Sequence, residues 1–201
     1  MIDGWGKRRL EPSLDRLAAG LQAAGISANA MTVFGLATGL AAALAIAAGH
    51  FWSALALILA SRLSDGLDGA LARRAGSTDF GGYIDIVFDF AFYGAVPLGF
   101  VLHDPAANGA AGAVLLFAFY VNGASFLAYA ALAEKRGMRT TERGEKSFFF
   151  TTGLAEAGET LIAFALACLF PLWFALIAYV FAAVTLYTAV ARMMLARRAF
   201  R

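Results

Sequence analysis

Between Asp65 and Phe90 the chain reads DGLDGALARRAGSTDFGGYIDIVFDF. Asp65 and Asp68 stand three residues apart, with Ala72 four further on, and Asp85 and Asp89 stand four apart. On helices these spacings put each pair of acids on one face. The stretch between them carries Gly76, Gly81 and Gly82, residues suited to a turn. An antiparallel helix pair joined there would aim four carboxylates at one another. Clustered acids repel unless protons or cations intervene, and hard oxygen ligands suit Mg²⁺, Mn²⁺ or Ca²⁺. Four of them could hold two divalent ions, an arrangement that serves phosphoryl chemistry. Gly69 and Ala72 leave room on the acid face for a ligand to approach the backbone, and Arg73 stands where it could reach a phosphate. Asp79 fits better as a solvated acid of the loop.

The elements that must position these acids belong in a membrane. Of the 201 residues, 61% are hydrophobic and only 15% charged, where a soluble domain is roughly half apolar and a quarter charged. The apolar residues gather in blocks of about 20, the length that crosses a hydrocarbon core. Six spans are expected, at 30–49, 51–72, 81–102, 109–133, 147–169 and 172–195, in a single all-α domain. Before them, Leu10, Leu14, Leu17, Ala18 and Leu21 form a helical apolar stripe flanked by Arg8, Arg9 and Arg16. Residues 1–29 then supply an interfacial amphipathic helix and its lead-in, or an amphipathic helix packed on other protein. No cleavable signal peptide is expected there, because charge runs throughout the segment.

With six spans, 15 of the 16 Lys and Arg residues fall on one side, counting Arg192 at the end of the last span with the basic tail; Arg62 alone lies deep within a span. The positive-inside rule makes that side, with both termini and the acid cluster, cytoplasmic. A net charge of +2 gives no reason to expect nucleic acid as a partner, and the single Cys168 excludes a disulfide within the chain. His103 beside Asp104 reads as a loop residue. Trp5, Trp52 and Trp173 near span ends read as interface anchors.

The pattern Asp65-x2-Asp68-Gly69-x2-Ala72-Arg73-x7-Gly81-x3-Asp85-x3-Asp89 resembles the signature of the CDP-alcohol phosphatidyltransferase family at all eight specified positions. ISANAMTVFG at 26–35 is similar to the segment that opens the first membrane helix in many members. The resemblance implies six membrane helices after a surface helix, and transfer of a phosphatidyl group from CDP-diacylglycerol to an alcohol with release of CMP. It implies that Asp65, Asp68, Asp85 and Asp89 bind two ions, Mg²⁺ or Mn²⁺, and that Asp89 is the general base. By the same resemblance Asp65, Gly69, Ala72, Arg73 and Gly81 belong to the nucleotide pocket, Gly81 by permitting close packing. A homodimer among membrane lipids is implied as well.

The acceptor alcohol stays open: glycerol 3-phosphate, inositol or its phosphate, phosphatidylglycerol, or an amino alcohol. The five basic residues of 134–146, Arg139 and Lys146 among them, read either as an anion site for a phosphorylated acceptor or as ordinary cytoplasmic charge. Glu156 and Glu159 share a face of the fifth span and either join the active cavity or pair with Arg62. Family members that make phosphatidylglycerophosphate often carry an arginine near the start of the first membrane helix, where this chain has Thr32-Val33-Phe34-Gly35. The rival reading is a divalent-cation transporter that uses the acids as a transit site; it leaves Gly69, Ala72 and Arg73 without a role.

Overall fold

The computed structural model describes residues 2–138 and 157–200, with side chains from residue 11 onward. Seven helices follow in order: α1 (Ile2–Ala23), α2 (Ala28–Ala47), α3 (Phe51–Ala75), α4 (Asp79–His103), α5 (Pro105–Lys135), α6 (Ala157–Leu169) and α7 (Phe174–Ala199), with a 3₁₀ turn at Pro171–Trp173 before the last. The boundaries follow from capping chemistry. Ser27 Oγ accepts from Ala30 N at 3.2 Å to start α2, and Asp104 Oδ1 accepts from Ala107 N at 3.0 Å to start α5 behind Pro105. Gly76, at φ +96°, ends α3 in a conformation that a side chain resists.

Among the described residues, four stretches are long and apolar enough to cross a bilayer: α2, α4, α5 and Pro171–Ala199. The 25 residues of α3 extend about 37 Å at the usual rise per residue. From its middle onward, however, it carries Arg62, Asp65, Asp68, Arg73 and Arg74, which separates it from a plain apolar span. The described part of α6 has 13 residues.

The core lies where α2, α4 and α5 meet α3, α6 and α7. Phe92, Phe100 and Phe174 are fully buried, and Phe100 stacks on Phe174 at 4.4 Å between centroids. Such contacts suit a medium where burial alone gains little and packing must supply the attraction. At Gly99 the backbones of α2 and α4 come so close that a Cβ would lie 2.6 Å from the carbonyl oxygen of Ala43. Ser61 Oγ donates to the Gly35 carbonyl at 2.7 Å, linking α2 to α3 inside the core. The exterior is greasy: Leu44, Leu102, Phe117 and Tyr120 are among the exposed side chains, as are Trp52 and Trp173 at the ends of their helices. Cys168 is buried. His103 packs edge-on to Phe51 at the end of α4 opposite the acids.

The stripe of α1 does not all face one medium. Leu14, Ala18 and Leu21 pack against Ala70 and Leu71 of α3, while Leu17 is exposed. Leu10 lies outside the described side chains. Polar links at the end of α3 reinforce the contact: Arg74 Nε donates to Gln22 Oε1 at 3.0 Å, and Arg73 stands 3.5 Å from Asp15.

Candidate active site

The turn between α3 and α4 brings the acids together as their spacing requires. Thr78 Oγ1 accepts from Gly81 N at 3.0 Å and opens α4, so the first turns of α4 run back along the last turns of α3. Oxygens of Asp65, Asp68 and Asp85 lie within 4.8 Å of one another. A hard divalent ion with oxygen bonds of about 2.1–2.5 Å spans roughly 4–5 Å between opposite ligands, so one ion can touch all three. Asp68 is 7% exposed, and its Oδ2 has no hydrogen-bond partner among the described residues. A buried carboxylate oxygen left unpaired is costly, and a cation bound there would satisfy it. Asp89 lines the same cleft with Thr32, Gly35, Arg62 and the other acids. Its Oδ1, however, accepts from Arg62 Nη1 at 2.8 Å.

On the loop side of the acids lies a cavity of about 310 Å³. Asp68 and Asp85 line one wall of it, and Gly69, Ala72 and Gly81 line it too. Ser27, Ala28 and Asn29 at the start of α2, and Thr78, Gly81 and Gly82 at the start of α4, complete it. Two helix N-termini thus open on one space. Their free N–H groups and positive dipole ends favour an anion, a phosphate above all. At Gly81 a Cβ would lie 3.0 Å from Asn29 Oδ1 and Thr78 Oγ1, so the absent side chain keeps the cavity open. Arg73 is not a wall residue: its guanidinium reaches toward Asp15 and Glu11 of α1, and Nη1 lies 3.7 Å from where a Cβ on Gly69 would sit.

On the other side of Asp89, within the helices, is a cavity of about 500 Å³ between α4, α5, α6 and α7. Aromatic side chains dominate it, among them Phe90, Tyr93, Phe119 and Phe126. Among the described residues Arg192 is the one cation in its lining. Arg192 Nη1 donates to Asn122 Oδ1 at 2.9 Å, to the Asn122 carbonyl at 3.0 Å and to Ser125 Oγ at 2.8 Å. Sequence reading groups Arg192 with the basic tail. Its place inside the expected 172–195 span was the available signal, since intramembrane cations usually face a cavity or a partner.

Of the residues expected at an acceptor site, Arg139, Lys146 and Glu156 lie outside the described residues. Glu159 lines neither cavity, and its Oε2 is buried without a hydrogen-bond partner among the described residues. Arg62 turns instead to Asp89 and, at 3.8 Å, to Asp65.

A helical membrane protein with a carboxylate trio beside two converging helix N-termini is built for metal-assisted chemistry on a phosphate. The CDP-alcohol phosphatidyltransferase family matches residues 25–195, and the chain belongs to that family. It is a metal-dependent transferase of phospholipid synthesis. The chain is 45% identical over 192 residues to the inner membrane protein YnjF of Escherichia coli (strain K12), covering 96% of this chain and 93% of that one. It is 33% identical over 150 residues to the phosphatidylinositol phosphate synthase of Mycobacteroides abscessus, covering 71% and 68%. The fold is shared with Mycobacterium tuberculosis phosphatidylinositol phosphate synthase (PgsA1) solved with CDP-DAG bound, at a TM-score of 0.70, 24% identity and coverage of 90% and 92%. The same enzyme in complex with manganese and citrate matches at a TM-score of 0.66 and 24% identity, covering 90% and 87%. Neither the geometry nor these relatives gives support to a cation transporter.

Proposed function

We propose that the chain transfers a phosphatidyl group from CDP-diacylglycerol to an alcohol and releases CMP. The observation that carries this reading is the position of Asp89, which lines both the acid cleft and the 500 Å³ cavity. The nucleotide end of the donor occupies the 310 Å³ cavity, lined by Gly69, Ala72 and Gly81, with the diphosphate facing the starts of α2 and α4. Asp65, Asp68, Asp85 and Asp89 are the metal-binding acids. These residues would hold a divalent ion, Mg²⁺ or Mn²⁺, which would supply positive charge against the diphosphate and the departing CMP. The acceptor hydroxyl enters from the larger cavity and gives its proton to the Asp89 carboxylate. Its oxygen forms the new bond to the phosphatidyl phosphorus, and the bond from that phosphorus to the CMP phosphate oxygen breaks.

The acceptor carries an anionic group. Arg192 supports this reading from within the cavity, as does the basic stretch with Arg139 and Lys146 that precedes α6 in the sequence. The relative that makes phosphatidylinositol phosphate points the same way. The test is a screen of purified protein with CDP-diacylglycerol, Mn²⁺ and candidate alcohols, read as CMP release. Glycerol 3-phosphate or an inositol phosphate is expected to turn over. Turnover with uncharged alcohols only sinks the anion-site reading, and no CMP with any acceptor sinks the transferase reading.

The chain forms one domain, with α3 and the fifth span bringing the membrane crossings to six and α1 lying at the membrane surface. The sidedness of Lys and Arg supports a cytoplasmic active site and cytoplasmic termini. Family resemblance supports a homodimer.

A further inference from the structure

Arg192 reaches from α7 to α5 and is held there by neutral groups. Its Nη1 donates to Asn122 Oδ1 at 2.9 Å, to the Asn122 carbonyl at 3.0 Å and to Ser125 Oγ at 2.8 Å. Ser125 Oγ in turn donates to the Asn122 carbonyl at 2.7 Å, which closes the network. The guanidinium carbon also lies 5.6 Å from the centroid of the Phe126 ring. A guanidinium has N–H donors on Nε, Nη1 and Nη2. The network uses Nη1 and leaves Nε and Nη2 without a hydrogen-bond partner among the described residues. Charge is left over as well. A cation within a membrane helix usually pairs with an acid, yet among the described residues no carboxylate lies in ion-pair contact with Arg192. Asp89, the one acid among the described residues that line the cavity, accepts on Oδ1 from Arg62.

We infer that Asn122 and Ser125 fix Arg192 as a preorganised fork for the phosphate of a phosphorylated acceptor, and that the neutrality of Asn122 determines which acceptors bind. The inference rests on the 500 Å³ cavity being the acceptor site of the proposed transfer. Nε and Nη2 together present the parallel N–H pair that grips two oxygens of one phosphate. Because Arg192 has only neutral partners, its charge is free to meet that phosphate. A carboxylate in place of the Asn122 amide would take up the charge and repel the acceptor. Asn122 and Ser125 are positioning residues: they act on the acceptor through Arg192.

The test is steady-state CMP release by purified full-length protein in detergent with CDP-diacylglycerol, Mn²⁺ and glycerol 3-phosphate or an inositol phosphate, varying each substrate. Asn122→Asp keeps every oxygen that Arg192 uses and adds a negative charge. It is expected to raise the acceptor KM about 10-fold or more, the loss of one charge-assisted interaction, with the KM for CDP-diacylglycerol unchanged. Its unfolding temperature is expected at or above wild type, because an ion pair ties α5 to α7 more firmly than a neutral bond. Asn122→Leu removes the Oδ1 acceptor and is expected to raise the acceptor KM in the wild-type background, and no further in Arg192→Met. An unchanged acceptor KM in Asn122→Asp overturns the inference, since a residue that merely ties α5 to α7 tolerates that change. Equal rises for Asn122→Leu in both backgrounds overturn it too. Turnover of uncharged alcohols only overturns the anion-site reading and the inference together, while no CMP with any acceptor overturns the transferase reading itself. Should Asn122→Asp not fold, Asn122→Leu in the two backgrounds decides alone.

Discussion

Replacing Asp68 by asparagine separates a residue kept for function from one kept for stability. The oxygens of Asp65, Asp68 and Asp85 lie within 4.8 Å of one another. Unit charges at that distance repel by roughly 3–4 kcal/mol per pair at an effective dielectric near 20. Asp68 takes part in two of the three pairs. The Asp65 side chain is 39% exposed, so solvent screens its share strongly; a relief of about 2–4 kcal/mol remains for Asp68→Asn in the metal-free protein. For a chain of this size about 2–4 °C of unfolding temperature accompanies each kcal/mol. Asp68→Asn is therefore expected to unfold about 5–15 °C above wild type in EDTA. Mn²⁺ at a hundredfold excess over its dissociation constant adds about 2.7 kcal/mol to the wild type, and little to the variant. The assay is thermal unfolding in detergent micelles, with EDTA and with Mn²⁺. A variant less stable than wild type in EDTA, or one that gains as much from Mn²⁺, refutes the assignment of Asp68 as a ligand held against repulsion.

Other substitutions probe the acceptor cavity and the frame. Arg192→Met removes the one cation that lines the 500 Å³ cavity among the described residues. A lost charge-assisted hydrogen bond of about 1.5–3 kcal/mol raises the acceptor KM roughly 10- to 100-fold, with the KM for CDP-diacylglycerol unchanged; steady-state kinetics varying each substrate checks this. Gly99→Ala drives a Cβ against the Ala43 carbonyl and is expected to cost about 1–3 kcal/mol by overpacking. Gly109→Ala on α5 meets nothing within 4 Å and is expected to gain up to about 1 kcal/mol in helix propensity. Unfolding temperatures of the two variants should move in opposite directions.

The acids were legible in the sequence because their spacing leaves a helix little choice. Carboxylates at i and i+3, or i and i+4, must share a face, and the turn at Gly76–Thr78 must fold the two faces together. The greasy blocks likewise announced the helices, and α2 and α4 begin within two residues of the expected spans. What stayed hidden depends on rotations and returns of the chain that spacing does not encode. Arg62 finds Asp89, 27 positions away, only once α3 and α4 have settled in register. Arg192 meets Asn122 across 70 positions when α7 returns beside α5. Arg73, expected in the nucleotide pocket, is absent from the cavity lining because α1 packs along α3 and draws its guanidinium to Asp15 and Glu11. The apolar stripe of α1 showed that a face would be covered; that α3 would cover much of it depends on the tertiary fold.

Phosphatidyl transfer in the acid cleft, with Asp89 taking the acceptor's proton, is the proposal that a single assay can decide. It is tested most directly by CMP release from CDP-diacylglycerol by wild type and Asp89→Asn, with and without Mn²⁺, at saturating acceptor. Release by the wild type is expected to need both Mn²⁺ and acceptor. Asp89→Asn is expected to lose about 10²–10⁴ of the rate, the usual contribution of a general base, while still binding the donor. Undiminished, metal-dependent release by Asp89→Asn contradicts the role given to Asp89. Acceptor-dependent CMP release that persists in EDTA contradicts the metal-assisted account as a whole.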